Sequence, residues 1–154
     1  MISAKTRAHL TILLGLIAIT FASAFVTQGQ TTTSLASPSL MFLGPEFFQA
    51  GGKSWIRYKY AVINPEAFPE SLFAAAPELP PCGNNTRASR TWVDFYDSRG
   101  KRLNGFCALG KSSDLSKIWF AAEVDSIPPS WIYIELNDRQ TSTKVKSMLV
   151  ETTQ

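Results

Sequence analysis

The chain has 154 residues, of which 45% are hydrophobic and 18% are charged, so it is long enough to bury the core of one domain. Its net charge of +3 owes much to the first 24 residues, which carry Lys5 and Arg7 and no acid. The remaining residues hold 13 basic and 12 acidic side chains, a net charge of +1. This balance argues against a nucleic-acid partner bound mainly through phosphates.

The N-terminus has the order of residues that is typical of a secretory signal. Lys5 and Arg7 precede an apolar run at residues 10–19, and an Ala-x-Ala exit ends at Ala24. We therefore predict that residues 1–24 are a signal peptide, cleaved after Ala24. The protein is then secreted or periplasmic.

An uncleaved membrane anchor is the alternative interpretation of the same stretch. Residues 10–26 are apolar or small, and their length of about 17 residues is the lower limit for a helix that spans a membrane. In that case the exported domain stays membrane-anchored by its N-terminal helix.

Short strands are predicted beyond the signal. Residues 25–39 are small and polar without periodicity, which indicates a flexible linker. From 40 to 150, aromatic and β-branched runs with a period of two alternate with clusters of Pro, Gly, Asn and Asp. Residues 151–154 form a tail. The predicted strands are 40–48, 55–63, 91–96, 101–108, 118–122, 131–137 and 144–150.

The alternation within these strands predicts which side chains face the core. Tyr58 and Tyr60 fall on the apolar side of the second strand, whereas Arg57 falls on the opposite side, which we expect to be solvated. Trp119 and Phe120 are expected in the core. Residues 71–76 form an apolar piece in a proline-rich crossover and predict either a helical turn or a strand. Gly100 suits the positive φ of the turn between the third and fourth strands.

About seven short strands at this spacing predict an all-β fold, a two-layer antiparallel β-sandwich. Here the chain resembles the immunoglobulin-like and fibronectin type III superfold, by pattern alone and over residues 40–150. It departs from antibody-type domains because its two cysteines flank one hairpin and do not link two sheets. The resemblance implies an Ig-like sandwich, preceded by the signal helix, with a binding or adhesion role.

Cys82 and Cys107 are the two cysteines of the chain. The chain without its signal contains no histidine, and two thiolates alone do not make a four-ligand zinc site. A separation of 25 positions is also not a Cys-x-x-Cys redox motif. Because cysteines of exported proteins usually pair, we predict a disulfide between them that pins the crossover to the sheet. Two free buried thiols are the alternative.

Catalytic and metal sites find little support in the sequence. Ser-His and Cys-His nucleophiles need a histidine base, and the scattered acids form no glycosidase dyad. Asp97, Asp125 and Asp138 lie near loops but lack the dense alternation of acids that a calcium loop needs. We therefore predict no catalytic residue, no metal and no cofactor. Asn84 is an N-glycosylation acceptor if the host is eukaryotic.

One set of residues forms a candidate binding surface. Strands 91–96 and 131–137 share a sheet in this architecture, with Val93, Phe95, Ile132, Ile134 and Leu136 facing the core. The residues left for the outer side are Trp92, Asp94, Tyr96, Trp131, Tyr133 and Glu135, which we call the aromatic–acidic face. Aromatic rings with carboxylates suit a protein partner or a glycan. The alternative is that residues 42–48 or the proline-rich crossover cover this face and make it a second small core.

These features predict a secreted or periplasmic, non-enzymatic binding or adaptor module that recognises a protein or glycan through the aromatic–acidic face. A small secreted hydrolase or enzyme inhibitor that acts through loop residues is the alternative. Exposed Trp92 and Trp131 favour binding, whereas buried tryptophans with a carboxylate cleft elsewhere favour the alternative.

Overall fold

The structure, a computed structural model, describes residues 35–80 and 88–152. The compact unit to which they belong spans Thr33–Gln154. The predicted signal peptide, Cys82 and Asn84 lie outside the described residues. Within the described ranges, no helix has both the length and the hydropathy needed to cross a membrane.

The described chain is built almost entirely of strands. They are β1 Leu40–Ala50, β2 Lys53–Val62, β3 Thr91–Asp97, β4 Arg102–Phe106, β5 Ile118–Glu123, β6 Trp131–Asp138, β7 Thr143–Lys146 and β8 Val150–Glu151. Three short 3-10 helices, Pro65–Ala67, Glu70–Phe73 and Ser112–Lys117, lie in the connections. Six of the seven predicted strands are present with ends displaced by a few residues, and the seventh, 144–150, is divided into β7 and β8.

Two antiparallel sheets form the two layers. Sheet one has the order β1-β2-β5, and sheet two has the order β4-β3-β6-β7, with β8 also paired to β6. This is an immunoglobulin-like β-sandwich in which the fourth strand pairs with the third. The predicted two-layer antiparallel β-sandwich is therefore confirmed, including the shared sheet of strands 91–96 and 131–137, whereas the predicted signal helix lies outside the described residues.

The core lies between the inner faces of the two sheets. Its fully buried side chains include Tyr58, Tyr60, Val62, Val93, Phe95, Phe120, Ile132, Ile134 and Leu136. The Tyr60 ring lies 5.5 Å from that of Phe95 across the sheets, and each such side chain stabilises the fold by about 1.5 to 3 kcal/mol. The Tyr60 hydroxyl is not left unpaired, because it lies 2.7 Å from Thr152 Oγ1.

Two predictions for sheet one are wrong. Arg57 is not an ordinary solvated residue, because its guanidinium carbon lies 4.8 Å from the Phe48 ring centroid and 4.7 Å from that of Trp119. Trp119 is not in the core. It lies on the outer side of β5, since Ile118 and Phe120 alternate with it and point inward.

A bulge in β1 explains why Phe48 also lies on the outer side of sheet one. The pairing with β2 shifts between Phe42 and Gly44, and Gly44 has a φ of +105°. The extra residue exchanges the two sides of the strand, so that Phe48 comes opposite Trp55. Their rings stack with centroids 6.5 Å apart.

The β3–β4 hairpin is confirmed, with Gly100 at a φ of +81°. Asp97 Oδ1 closes the turn by accepting the backbone N–H groups of Arg99 at 2.9 Å and Lys101 at 2.8 Å. In the crossover, the uncertain piece at residues 71–76 contains the end of a 3-10 helix, Glu70–Phe73, and a single β-bridge from Ala75 to Ser89.

The last predicted strand, 144–150, is broken into β7 and β8. The break occurs at Ser147, whose N–H donates to the carbonyl of Ile134 at 3.0 Å while its Oγ accepts the N–H of Ile134 at 3.0 Å. The Ser147 hydroxyl oxygen thus takes the place of a backbone carbonyl as the acceptor for the N–H of Ile134 in β6. Met148 and Leu149 then turn outward, and Met148 is 82% exposed.

Cys107 follows the end of β4. It is not a free thiol, and its carbonyl accepts the N–H of Ser89 at 2.7 Å. The end of the crossover therefore lies beside it. Because Cys82 lies outside the described residues, its bond to Cys107 stays a prediction.

Candidate functional site

The six residues of the aromatic–acidic face share the outer side of sheet two. In the β3–β6 pairing Asp94 lies opposite Glu135, and Tyr96 lies opposite Tyr133. The alternating residues, Val93, Phe95, Ile132, Ile134 and Leu136, are fully buried on the inner side. Trp92 lies towards one end of this face and Trp131 at the other, where β6 begins.

The two acids at the centre of the face are paired with cations from the flanking strands. Asp94 Oδ1 accepts a hydrogen bond from Nε of Arg102 in β4 at 2.7 Å, and Nη2 of the same arginine lies 2.7 Å from that oxygen. Glu135 lies 2.9 Å from Lys144 Nζ and 3.7 Å from Lys146 Nζ, both of β7. Both acids are mostly buried beneath these partners. The hydrogen bond to Glu135 raises the pKa of Lys144.

The two tyrosines at the centre cover each other. The rings of Tyr96 and Tyr133 stack with centroids 5.3 Å apart and 15° between their planes. Lys146 Nζ lies 5.2 Å from the Tyr133 centroid. Burial, together with the charges of Asp94 and Glu135, raises the pKa of Tyr96, which stays a neutral phenol.

Trp92 is covered rather than open to solvent. The guanidinium carbon of Arg139 lies 3.8 Å from its ring centroid, and Arg139 Nη1 donates to the carbonyl of Pro80 at 3.0 Å. The indole Nε1 is buried without a hydrogen-bond partner. The alternative of a covered face thus applies to this end in part, although the cover is Arg139 of the turn after β6 and the crossover contributes only the Pro80 carbonyl that Arg139 contacts. Residues 42–48 do not cover the face, since they belong to β1 in the other sheet.

The strand end beside Trp92 is also held by an ion pair. Arg90 donates to both oxygens of Asp138, at 2.7 and 2.6 Å, and the Asp138 side chain is only 3% exposed. The carboxylate also accepts the Thr141 hydroxyl and the N–H of Gln140. The hydrogen bonds from Arg90 contribute most to lowering the pKa of Asp138 to about 2. We call this region, formed by Pro80, Arg90, Trp92, Asp138 and Arg139, the closed end.

The opposite end of the face is open. Trp131 is 45% exposed, and the neighbouring Ile127 is 97% exposed. A cleft of about 770 Å³ lies between the turn at 97–101 and the loop at 126–131. Its size is within the range of ligand-binding pockets. We call this region the open end.

Sequence reasoning missed the cations that contact the aromatic–acidic face and the strand end beside it. The contact of Lys144 and Lys146 with Glu135 could have been predicted. The last predicted hairpin pairs strand 131–137 with strand 144–150, and alternate residues of the second strand lie on the same side of the sheet as Glu135. Arg139 and Arg90 come from loop positions whose path no periodicity indicates. No cluster of three or more His, Cys, Asp or Glu capable of holding a metal is found within the described ranges.

Comparisons with known proteins give a fold neighbour but no family. No family model and no curated protein matches the chain. The human pre-T cell receptor matches with a TM-score of 0.40 and 12% identity, over 76% of this chain and 100% of that chain. At this TM-score the likeness supports no conclusion about function. The strand order itself defines the class of fold, an immunoglobulin-like β-sandwich.

Proposed function

We propose that the chain is an exported, non-enzymatic binding or adaptor module. It recognises a protein partner through the aromatic–acidic face, with the open end as the main point of contact. The observation that carries this proposal is the exposure of two large apolar side chains that line the same cleft, Trp131 at 45% and Ile127 at 97%. Exposed apolar surface of this kind often marks a contact with a partner, and tryptophan is enriched among the residues that dominate binding energy.

The state of the aromatic rings favours a protein partner over a glycan. A sugar stacks on the bare face of an aromatic ring. The Trp92 ring is covered by Arg139, and the Tyr133 ring has Tyr96 on one side and Lys146 nearby. A protein partner does not require bare ring faces, because it contacts an apolar anchor surrounded by a charged rim.

The same geometry gives no support to the hydrolase alternative. A general acid or base needs a carboxyl group that is free to exchange a proton with substrate. Asp94 and Glu135 are instead bound to Arg102, Lys144 and Lys146. In the open-end cleft, the acid among the lining residues is Asp97, whose Oδ1 accepts two backbone N–H groups.

A capture experiment with the full chain tests the proposal. Immobilised wild-type protein is compared with a Trp131→Ala variant and with Met148→Ala, a matched control that removes an exposed apolar side chain elsewhere. We expect the wild type and Met148→Ala to retain the same proteins from an extract of the producing cells. Trp131→Ala should retain at least about tenfold less, as for a residue that dominates an interface. Equal capture by all three would remove the open end from consideration.

A further inference from the structure

The open-end cleft has two basic side chains and one acidic side chain among its described lining residues. Arg99 and Lys101 both line it, both are exposed, and the Arg99 side chain is 91% exposed. The acid among the described lining residues, Asp97, is 7% exposed and occupied by the backbone of the turn. Its Oδ2 lies 3.9 Å from Nε of Arg99, and a contact of this length to a guanidinium in water contributes little. The two cations are therefore available to a ligand.

Apolar side chains also line the cleft. Ile127 and the Pro128-Pro129 pair precede Trp131, and the lining also includes Leu103 and the core residue Phe120. A ligand that fills this space must place an apolar group against these side chains. It must also place negative charge beside the turn at 97–101.

We infer that the open-end cleft binds an extended segment of the partner protein in which an apolar side chain is flanked by carboxylates. This inference rests on the proposed function and specifies the partner's chemistry. The apolar side chain lies against Ile127 and Trp131, and the carboxylates pair with Arg99 and Lys101. At about 770 Å³, the cleft is large enough for several residues of a peptide.

Selection from a random peptide library displayed on phage tests the inference with the full chain immobilised. We expect wild-type protein to enrich peptides in which Asp or Glu flanks Leu, Ile, Phe or Trp. The charge-reversal variant Arg99→Glu, Lys101→Glu should retain these peptides at least about tenfold less and should favour basic peptides. Both side chains are exposed, so the variant should keep the fold, which circular dichroism checks.

The matched variant Trp131→Ala separates this inference from the proposed function. Peptides without an acidic bias that survive the charge reversal but are lost with Trp131→Ala would overturn the inference and leave the proposed function standing. If no enriched peptide depends on Trp131 or on the cations, both fail. Retention of acidic oligosaccharides on a glycan array, without peptide enrichment, would also overturn the inference.

Discussion

The two ends of β6 differ in how the side chains around them are partnered, although each end has a tryptophan nearby. At the closed end, Asp138 is bound by Arg90, and Trp92 is covered by Arg139. At the open end, Trp131 lies beside a cleft and the exposed Ile127. The difference shows that strand alternation determines only which side of the sheet a residue occupies. The cations supplied by neighbouring loops determine whether that residue can meet a partner.

The largest expected effect comes from the predicted disulfide, which would brace the closed end through Cys107. Reduction of the full chain should lower the free energy of unfolding by about 3 to 4 kcal/mol, because a cross-link of this loop length restricts the unfolded chain. Guanidinium denaturation with and without reductant measures the change. A Cys82→Ser variant should be equally unstable in both conditions.

This first prediction has a direct contrary outcome. Two titratable thiols in the native protein, together with a denaturation curve indifferent to reductant, would show that the closed end has no covalent brace.

The second prediction concerns the ion pair at the closed end. Asp138→Asn should lower the free energy of unfolding by about 3 kcal/mol at neutral pH, because it leaves the guanidinium of Arg90 without its charged partner in a mostly buried site. The matched control is Arg99→Ala at the open end, where the side chain is 91% exposed and little change is expected. Denaturation of both variants measures the contrast.

The pH dependence of that effect has a defined sign. Folding lowers the pKa of Asp138 from its ordinary 3.8 to about 2, so the stabilisation is complete above about pH 4 and is lost as the pH falls towards 2. Of the difference between wild type and Asp138→Asn, about 2 kcal/mol should disappear over that range. A difference that stays constant from pH 5 to pH 2 would contradict the assigned pairing.

The smallest expected change in the free energy of unfolding comes from comparing one loop substitution at each end of the face. Arg139→Ala should cost about 1 kcal/mol, because it removes the cation above Trp92 and the hydrogen bond to Pro80. Ile127→Ser, its counterpart at the open end, should change the free energy of unfolding by less than about 0.5 kcal/mol. Equal losses in the two variants would mean that the ends do not differ in the way described.

Much of the fold could be predicted because period-two alternation is a strong signal. It located the strands, the inward side of β3 and β6, and the turn at Gly100. It failed for Trp119, because the apolar residues around it conceal the alternation of β5. It also had no access to the β1 bulge at Gly44, where one extra residue exchanges the two sides of the strand.

The candidate site was predictable as a set of residues but not as a surface. Alternation grouped Asp94 with Glu135 and Tyr96 with Tyr133, and the register places them opposite each other. Exposure depends on longer-range contacts, such as that of Arg139 with Trp92. Side chains from connections have no periodicity that ties them to a strand, so their destinations become visible only in three dimensions.

The serine at position 147 has a consequence for how copies of this protein behave in concentrated solution. By accepting the N–H of Ile134 in place of a backbone carbonyl, it divides this edge of sheet two into one strand of four residues and one of two. An edge interrupted in this way offers an incoming chain no continuous strand with which to pair and extend into a fibril. The Ser147 hydroxyl thus shortens the stretch of this edge with which another strand could pair.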